Sequence, residues 1–204
     1  MAYSDFKTFK HVTDKFPVTI SSDYSLFVNI PEIEPSAQLQ DFLEDNIPLA
    51  LNINTEKARS ELMVMPVLLE VRKQFQRKIS LFSGIEFTVD TSVGLNGFCD
   101  FILSNSPTQL FLKSPVICMV EAKNNEINPA CPQCIAEMIA AQRFNAAGSN
   151  PIDTIWGVVS NGYNWKFLRL DGNDVKIDYD EYGIPQVEKI LGIFQQILSG
   201  YQRD

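Results

Sequence analysis

The sequence predicts an α/β protein in which helices cover the faces of one mixed β-sheet. Two helical patterns come first, three short strand-like runs follow, and a helix, further strands and a last helix complete the chain. With 204 residues, 45% of them hydrophobic, the chain is long enough for one domain with a sizeable core. We expect that single domain to contain an N-terminal extension with a short helix (1–54), a core (55–170) and a C-terminal turn and helix (171–204).

The predicted helical part begins after an irregular, proline-containing N-terminal stretch. Ser36–Leu51 is expected to form an amphipathic helix, because four apolar residues recur at helical spacing, namely Leu39, Phe42, Leu43 and Ile47. Asn54 is predicted to be the N-cap of the next helical segment, Thr55–Lys78. Pro66 lies inside that segment, and an interior proline costs about 3 kcal/mol, so we expect a kink or a break there.

The pattern changes to strands after Gly84. The two runs Gly84–Asp90 and Gly97–Ser104, joined by a turn at Thr91–Asn96, and the run Val116–Lys123 predict an antiparallel meander. The later elements are predicted to be a helix from Pro129 to Ala147, strands at Thr154–Ser160 and Trp165–Leu170 joined by an Asn161-Gly162 turn, and a helix at Gln186–Tyr201.

Three charged residues mark the strand ends. Val116–Lys123 is apolar until Glu121-Ala122-Lys123, and strand alternation puts Glu121 and Lys123 on one face. Asp100 stands 21 residues before Glu121, in the neighbouring predicted strand. If the two strands pair, two carboxylates and one lysine converge, and a divalent cation with an activated water needs such a set. Asp100, Glu121 and the Ala122 carbonyl are therefore the predicted ligands of Mg²⁺, with Mn²⁺ as an alternative.

These residues, with the order of the elements, resemble the PD-(D/E)XK nuclease superfamily. That fold is a restriction-endonuclease-like mixed β-sheet flanked by α-helices, with the core order helix, three strands, helix, strand, and the likeness covers about Thr55 to Leu170. The resemblance implies that Asp100 and Glu121 bind magnesium and that Lys123 positions or activates the attacking water. Glu61, on the preceding helix, would support the metal or its water. Cys99 stands where the motif has its variable proline.

Two further features carry the resemblance. Gln133 begins the helix after Lys123, where several branches of the superfamily have a glutamine, and Gln142 follows on the same helix. The segment Trp156–Gly162, with Trp165, is similar to the nuclease domain of type I restriction enzyme subunits, although no phosphate-binding loop of a helicase motor is present in the sequence. The resemblance implies a magnesium-dependent nuclease that hydrolyses phosphodiester bonds of DNA rather than RNA.

The alternative is a catalytically silent nuclease-like module that binds nucleic acid or protein as a regulatory subunit. The net charge of −8 favours it, because an acidic protein does not coat nucleic acid nonspecifically. The segment from Glu56 to Lys78, however, contains six basic residues and three glutamates. Its local charge is therefore +3, and the rest of the chain carries −11. This segment could hold phosphates or form a solvated helix face, and a homodimer or a partner subunit could supply further basic surface.

Simpler interpretations remain open for each charged residue. Glu121 and Lys123 could be a surface ion pair worth under about 1 kcal/mol, and Glu61 and Gln133 could be ordinary helix-surface residues. Asp100 is harder to explain in this way. It stands among Phe98, Cys99, Phe101 and Ile102, where an unpaired carboxylate is costly.

Other sites have weaker support. Cys131-Pro132-Gln133-Cys134 resembles the redox dithiol of glutaredoxin-like proteins. A zinc site would need four ligands, and the sequence contains only one such cysteine pair. His11 is the sole histidine, which argues against a Ser-His-Asp hydrolase. The four cysteines do not form a secreted disulfide pattern, no apolar run reaches about 18 residues, and the first residues lack the features of a signal peptide. We therefore expect a cytoplasmic protein with no membrane contact.

Overall fold

The computed structural model describes residues 1–201 and contains a mixed sheet of eight strands flanked by helices. The strands are β1 (Thr19–Ser21), β2 (Ser80–Glu86), β3 (Phe98–Ser104), β4 (Val116–Ala122), β5 (Thr154–Ser160), β6 (Asn164–Asp171), β7 (Asp174–Ile177) and β8 (Tyr182–Gly183). Their order is β1-β7-β6-β5-β4-β3-β2, with β8 also paired to β6. The pairs β1/β7 and β4/β5 are parallel and the other pairs are antiparallel. The predicted α/β class with one mixed sheet is therefore confirmed.

The helices are α1 (Phe9–Thr13), α2 (Ala37–Ile53), α3 (Glu56–Arg59), α4 (Met65–Gln74), α5 (Cys131–Ala147) and α6 (Val187–Ser199). A π-helical turn, Ser60–Val64, joins α3 to α4. Pro66 follows this turn in the first turn of α4, so the interruption expected from the proline takes the form of a widened turn. None of the helices in residues 1–201 is long and apolar enough to cross a membrane.

Two hydrophobic cores lie on opposite faces of the sheet. One packs α5 and the N-terminal residues Tyr3, Phe6, Val12 and Phe16 against one face, and the other packs α2, α4 and α6 against the other. β4 is buried from Val116 to Ala122, as its apolar sequence predicts. The N-terminal segment therefore covers the outward side of α5, and β1 extends the sheet through its parallel pairing with β7.

The boundary between α2 and α3 differs from the prediction. Ser36 caps α2 as expected, because its Oγ accepts a hydrogen bond from the Leu39 N–H. Asn54 is not an N-cap. It ends α2 in the left-handed conformation with φ 52°, which asparagine tolerates better than most residues. Thr55 is the N-cap of α3, and its hydroxyl accepts from the Ala58 N–H.

Two parts of the sheet also differ from the sequence prediction. β2 begins at Ser80 and ends at Glu86, whereas the predicted strand was Gly84–Asp90. Gly84 has φ +60° inside the strand, so it marks a distortion of β2 rather than its start. β7 and β8 were not predicted and occupy the region after Leu170 that was expected to hold a turn.

Candidate active site

Asp100 and Glu121 lie at the ends of the paired strands β3 and β4. At this end of the two strands, the last paired residues are Phe101 of β3 and Val120 of β4. Immediately beyond it, Asp100 Oδ2 accepts a hydrogen bond of 2.7 Å from the backbone N–H of Ala122. The Asp100 carboxylate is therefore fixed by the backbone of the strand that carries Glu121, and the predicted convergence of the two strands occurs.

Glu121 and Lys123 form an ion pair at the end of β4. The Lys123 Nζ donates to Glu121 Oε1, and the side chain of Glu121 is 2% exposed whereas that of Lys123 is 26% exposed. The Lys123 N–H also donates to the Ser160 carbonyl at 2.8 Å, which continues the pairing of β4 with β5. Lys123 thus links a buried carboxylate to the surface, and the predicted alternation of Glu121 and Lys123 agrees with this contact.

A third carboxyl group, that of Glu137, reaches the cluster from α5. Its side chain is fully buried, and Glu137 Oε1 accepts a hydrogen bond of 3.1 Å from Gln133 Nε2. Glu137 Oε2 is buried with no hydrogen-bond donor on the described residues. Beyond the effect of burial, the charge of Glu121 raises the pKa of Glu137, so the two carboxyl groups belong to one electrostatic cluster.

Burial and crowding of negative charge raise the pKa values of all three carboxyl groups. Burial raises the pKa of Asp100, and burial and then the Asp100 charge raise the pKa of Glu121 to about 7, against the opposing effect of Lys123. Burial and the charge of Glu121 hold the pKa of Glu137 well above its usual range. Burial lowers the pKa of Lys123, but the neighbouring carboxylates outweigh it and the net shift is upward. The raised pKa values favour protonated, uncharged carboxyl groups in the cluster, most strongly at Glu137.

The structure does not bring all of the predicted site residues together. Glu61 lies in the π-helical turn with its side chain 60% exposed and pairs with Lys57 Nζ at 2.8 Å. Glu56, five residues earlier on the same helical path, is the glutamate whose charge raises the pKa values of Asp100 and Lys123. Gln142 is also outside the cluster, because its Nε2 donates to the Gly172 carbonyl at 2.8 Å.

Glu137 is the residue that the sequence analysis missed. It is the one charged residue between Cys131 and Ala141, in a stretch whose residues are all buried except Gln133. A glutamate four residues after Gln133, within so apolar a helix, was a signal that could have identified it. Gln133, which was predicted, lies beside Glu137 and holds its carboxyl group.

The chemistry of the donor set suits a hard cation. Within residues 1–201, no group of three or more histidine, cysteine, aspartate or glutamate side chains is arranged to hold a metal ion. Mg²⁺ is bound in many proteins by one or two carboxylates, with water completing its shell. Asp100, Glu121 and the Ala122 carbonyl offer oxygen donors of this type. Two carboxylates and one carbonyl are the kind of donor that Mg²⁺ or Mn²⁺ takes, so these three are the residues that would hold such an ion.

A polar cleft of about 380 Å³ opens beside Lys123. It is lined by Arg59, Asn124, Asn125, Glu126, Ile127, Asn128, Asn161, Asn164 and Glu181. Arg59 Nη1 donates to the Asn161 carbonyl at 3.0 Å, and Asn161 Nδ2 donates to the Asn125 carbonyl at 2.8 Å. These bonds join α3, the loop after β4 and the turn after β5, so the cleft has connected walls next to the carboxyl cluster.

The cysteines do not form a reactive dithiol. Cys131 and Cys134 are free and buried, as are Cys99 and Cys118. Burial raises the pKa of Cys131 to about 12, and burial also raises that of Cys134 well above its ordinary value. A redox dithiol needs an accessible thiol with a lowered pKa, so the geometry argues against the glutaredoxin-like interpretation.

Comparison with known proteins adds no assignment. No family model matches this sequence, and no curated protein matches it. The function is therefore inferred from the residues of the site.

Proposed function

We propose that this protein is a metal-dependent nuclease of the restriction-endonuclease-like fold, which hydrolyses phosphodiester bonds in DNA. One observation carries the proposal. The partly buried carboxyl group of Asp100 and the buried carboxyl group of Glu121 lie at the end of β4 beside the Lys123 ammonium, the buried Glu137 adjoins them from α5, and the pKa values of all three groups are raised. Perturbed carboxyl groups concentrated next to a cleft are typical of catalytic sites.

Asp100, Glu121 and the Ala122 carbonyl would hold the metal ion in this proposal. A bound Mg²⁺ or Mn²⁺ would neutralise charge on the scissile phosphate and acidify a water molecule. The hydrogen bond from the Ala122 N–H orients Asp100 toward this position. Gln133 acts as a positioning residue, because its amide fixes the Glu137 carboxyl behind Glu121.

Lys123 has the environment of a phosphate-binding or water-orienting cation. Its raised pKa keeps the ammonium protonated, so Lys123 donates hydrogen bonds rather than accepting a proton. Its partial exposure leaves donors free for a substrate oxygen between the carboxyl cluster and the polar cleft. Lys123 would thus hold the phosphate or the attacking water in place.

The order of elements supports the proposed fold family. The sequence α4, β2, β3, β4, α5, β5 contains an antiparallel meander, a helix and a strand parallel to β4. This is the core order helix, three strands, helix, strand, and the carboxyl cluster lies where the meander ends at β4.

A catalytically silent nuclease-like module is the second candidate, and the distribution of charge favours it. The net charge is −8, and two lysines of the basic segment are paired, Lys57 with Glu61 at 2.8 Å and Lys73 with Glu70 at 3.8 Å. The solvated-face interpretation of the basic segment fits these pairs. In this case the protein would bind nucleic acid or a protein partner without cleaving it.

A cleavage assay separates the two candidates. The purified chain is incubated with plasmid or single-stranded DNA and Mg²⁺ or Mn²⁺, beside Asp100→Asn and Lys123→Ala, with Lys57→Ala as the matched lysine control. We expect each site variant to lose at least about 100-fold in rate and the control to keep its rate. DNA binding without cleavage by the parent would support the silent module. Cleavage that both site variants retain would indicate a contaminating enzyme and would remove the support for the nuclease.

A further inference from the structure

We infer that the polar cleft beside Lys123 is a nucleobase-binding pocket, which takes one unpaired nucleotide of the substrate next to the cleaved bond. The inference rests on the proposed nuclease function for the identity of the substrate. It goes beyond that function because it assigns a base-contacting site and limits the substrate to strands with an accessible base.

The amide groups that line the cleft match the edges of nucleobases. Five asparagines line it, and, apart from Asn161, whose amide is bonded within the wall, each amide offers both hydrogen-bond donors and an acceptor. Nucleobase edges also present donors and acceptors side by side, and asparagine is among the side chains that pair with them in a bidentate manner. Asn124 is a lining residue, and its Oδ1 is buried with no hydrogen-bond partner on the described residues.

The charges around the cleft favour a neutral ring over a second phosphate. Arg59 is one cation of the region, and the Lys166 ammonium lies 3.4 Å from Glu181 Oε1. Glu126 and Glu181 supply two negative charges in the lining. Lys166 is not a lining residue and Lys123 is paired with Glu121, so the lining itself holds one cation and two carboxylates and lacks the positive excess that a phosphate requires. A polar, uncharged heterocycle fits this balance.

Arg59 can hold the phosphate that connects such a base to the scissile bond. Its guanidinium donates from Nε and Nη2 to Asn54 Oδ1 at 3.4 and 3.1 Å, and from Nη1 to the Asn161 carbonyl at 3.0 Å. These contacts use three of the five N–H groups of an arginine and leave two for a ligand. The side chain is thereby fixed in orientation before a ligand arrives.

The cleft is large enough for one nucleobase, and its wall at Asn161 is held by hydrogen bonds. Its volume of about 380 Å³ is in the lower part of the range for small-molecule sites, roughly 300–1,000 Å³. Asn161 is a structural residue of the wall, since its Oδ1 accepts from the N–H groups of Tyr163 and Asn164 at 3.0 and 2.8 Å. A base can enter such a pocket only after it leaves the duplex stack. The substrate class is therefore single-stranded DNA, a frayed end or a flipped nucleotide.

Calorimetry with mononucleotides tests the pocket without metal or catalysis. The four deoxynucleoside 5′-monophosphates and deoxyribose 5-phosphate are titrated into the full chain in EDTA. We expect one nucleotide to bind at least about tenfold more tightly than the sugar phosphate, as a paired amide and base edge would require. Asn124→Ala should remove this preference, and Arg59→Gln should weaken all of these ligands. Asn52→Ala and Arg77→Gln, on exposed positions outside the cleft, are the matched controls and should change nothing.

The outcomes separate the pocket from the nuclease proposal. Equal affinity for the sugar phosphate and all four nucleotides, no binding up to about 10 mM, or an Asn124→Ala variant that keeps the preference would overturn the pocket. Circular dichroism of each variant verifies folding, and Arg59→Lys replaces Arg59→Gln if the latter unfolds. Base-dependent binding without any DNA cleavage would retain the pocket and remove the nuclease. DNA cleavage that requires Lys123, together with nucleotide binding that does not depend on the base, would retain the nuclease and remove the pocket.

Discussion

Replacing Glu121 with glutamine should stabilise the metal-free protein at alkaline pH. The folded protein raises the pKa of Glu121 from 4.5 to about 7, chiefly through burial. The folded state therefore binds more protons than the unfolded state between these values, and the free energy of unfolding must fall as the pH rises through this range. The contribution of Glu121 is most favourable below pH 4.5 and most unfavourable above pH 7.

The magnitude follows from the size of the shift. A pKa difference of about 2.5 corresponds to about 3 kcal/mol of destabilisation at pH 8, of which roughly 1 kcal/mol is already present at pH 5. Glutamine removes the charge but leaves Lys123 without its carboxylate. The attraction of Lys123 is already included in the net shift of the Glu121 pKa, so the lost ion pair is not subtracted again. We expect Glu121→Gln to be about 1–3 kcal/mol more stable than the parent at pH 8 and close to it at pH 5.

Urea unfolding of both proteins at several pH values in EDTA measures this difference. Glu61→Gln serves as the control, because its side chain is 60% exposed and pairs only with a surface lysine. The control should follow the parent at every pH. The reasoning is refuted if Glu121→Gln is less stable than the parent at pH 8, or if the difference between them does not change from pH 5 to pH 8.

Three further predictions concern the packing around α5. Gly157→Ala should destabilise the protein by about 1–3 kcal/mol in urea unfolding, because its Cβ would lie 2.4 Å from Met138 Sδ; an unchanged midpoint would contradict this packing. Cys131 and Cys134 should react with a thiol reagent at pH 8 only after unfolding, and rapid labelling of the folded protein would contradict their burial and raised pKa values. Asn145→Ala should cost about 3 kcal/mol, because its amide bonds the N–H and carbonyl at the start of β4 at 2.7 Å each; a cost near zero in the same assay would be inconsistent with those bonds.

The meeting of Asp100 with Glu121 could be predicted because it depends on local rules. Alternation along β4 placed Glu121 and Lys123 together, and antiparallel pairing brought the end of β3 to the same point. For Glu61, the sequence predicted the helical segment that carries the residue but not the direction of its side chain. The side that each glutamate of this helical path occupies depends on the packing of α3 and the π-helical turn, and in the structure Glu61 pairs with Lys57 while the charge of Glu56 contributes to the raised pKa of Asp100.

Glu137 and the sheet edge could not be predicted because they depend on distant segments. α5 is buried on its outward side by Tyr3 and other N-terminal residues, so its sequence lacks the polar stripe that would identify an inner face. β1 is only three residues long and pairs with β7, more than 150 positions away. Short strands joined over such separations leave little local pattern to recognise.

Binding of Mn²⁺ at pH 7, measured by calorimetry in two buffers of different ionisation enthalpy, tests most directly whether the carboxyl cluster is a metal site. The account predicts that at least one ion binds per chain, that binding releases protons because Glu121 and Glu137 have raised pKa values, and that Asp100→Asn weakens it at least about tenfold. The Glu61→Gln control should bind like the parent. Absence of binding, or binding that Asp100→Asn leaves unchanged, would contradict the assignment of this cluster as the catalytic metal site.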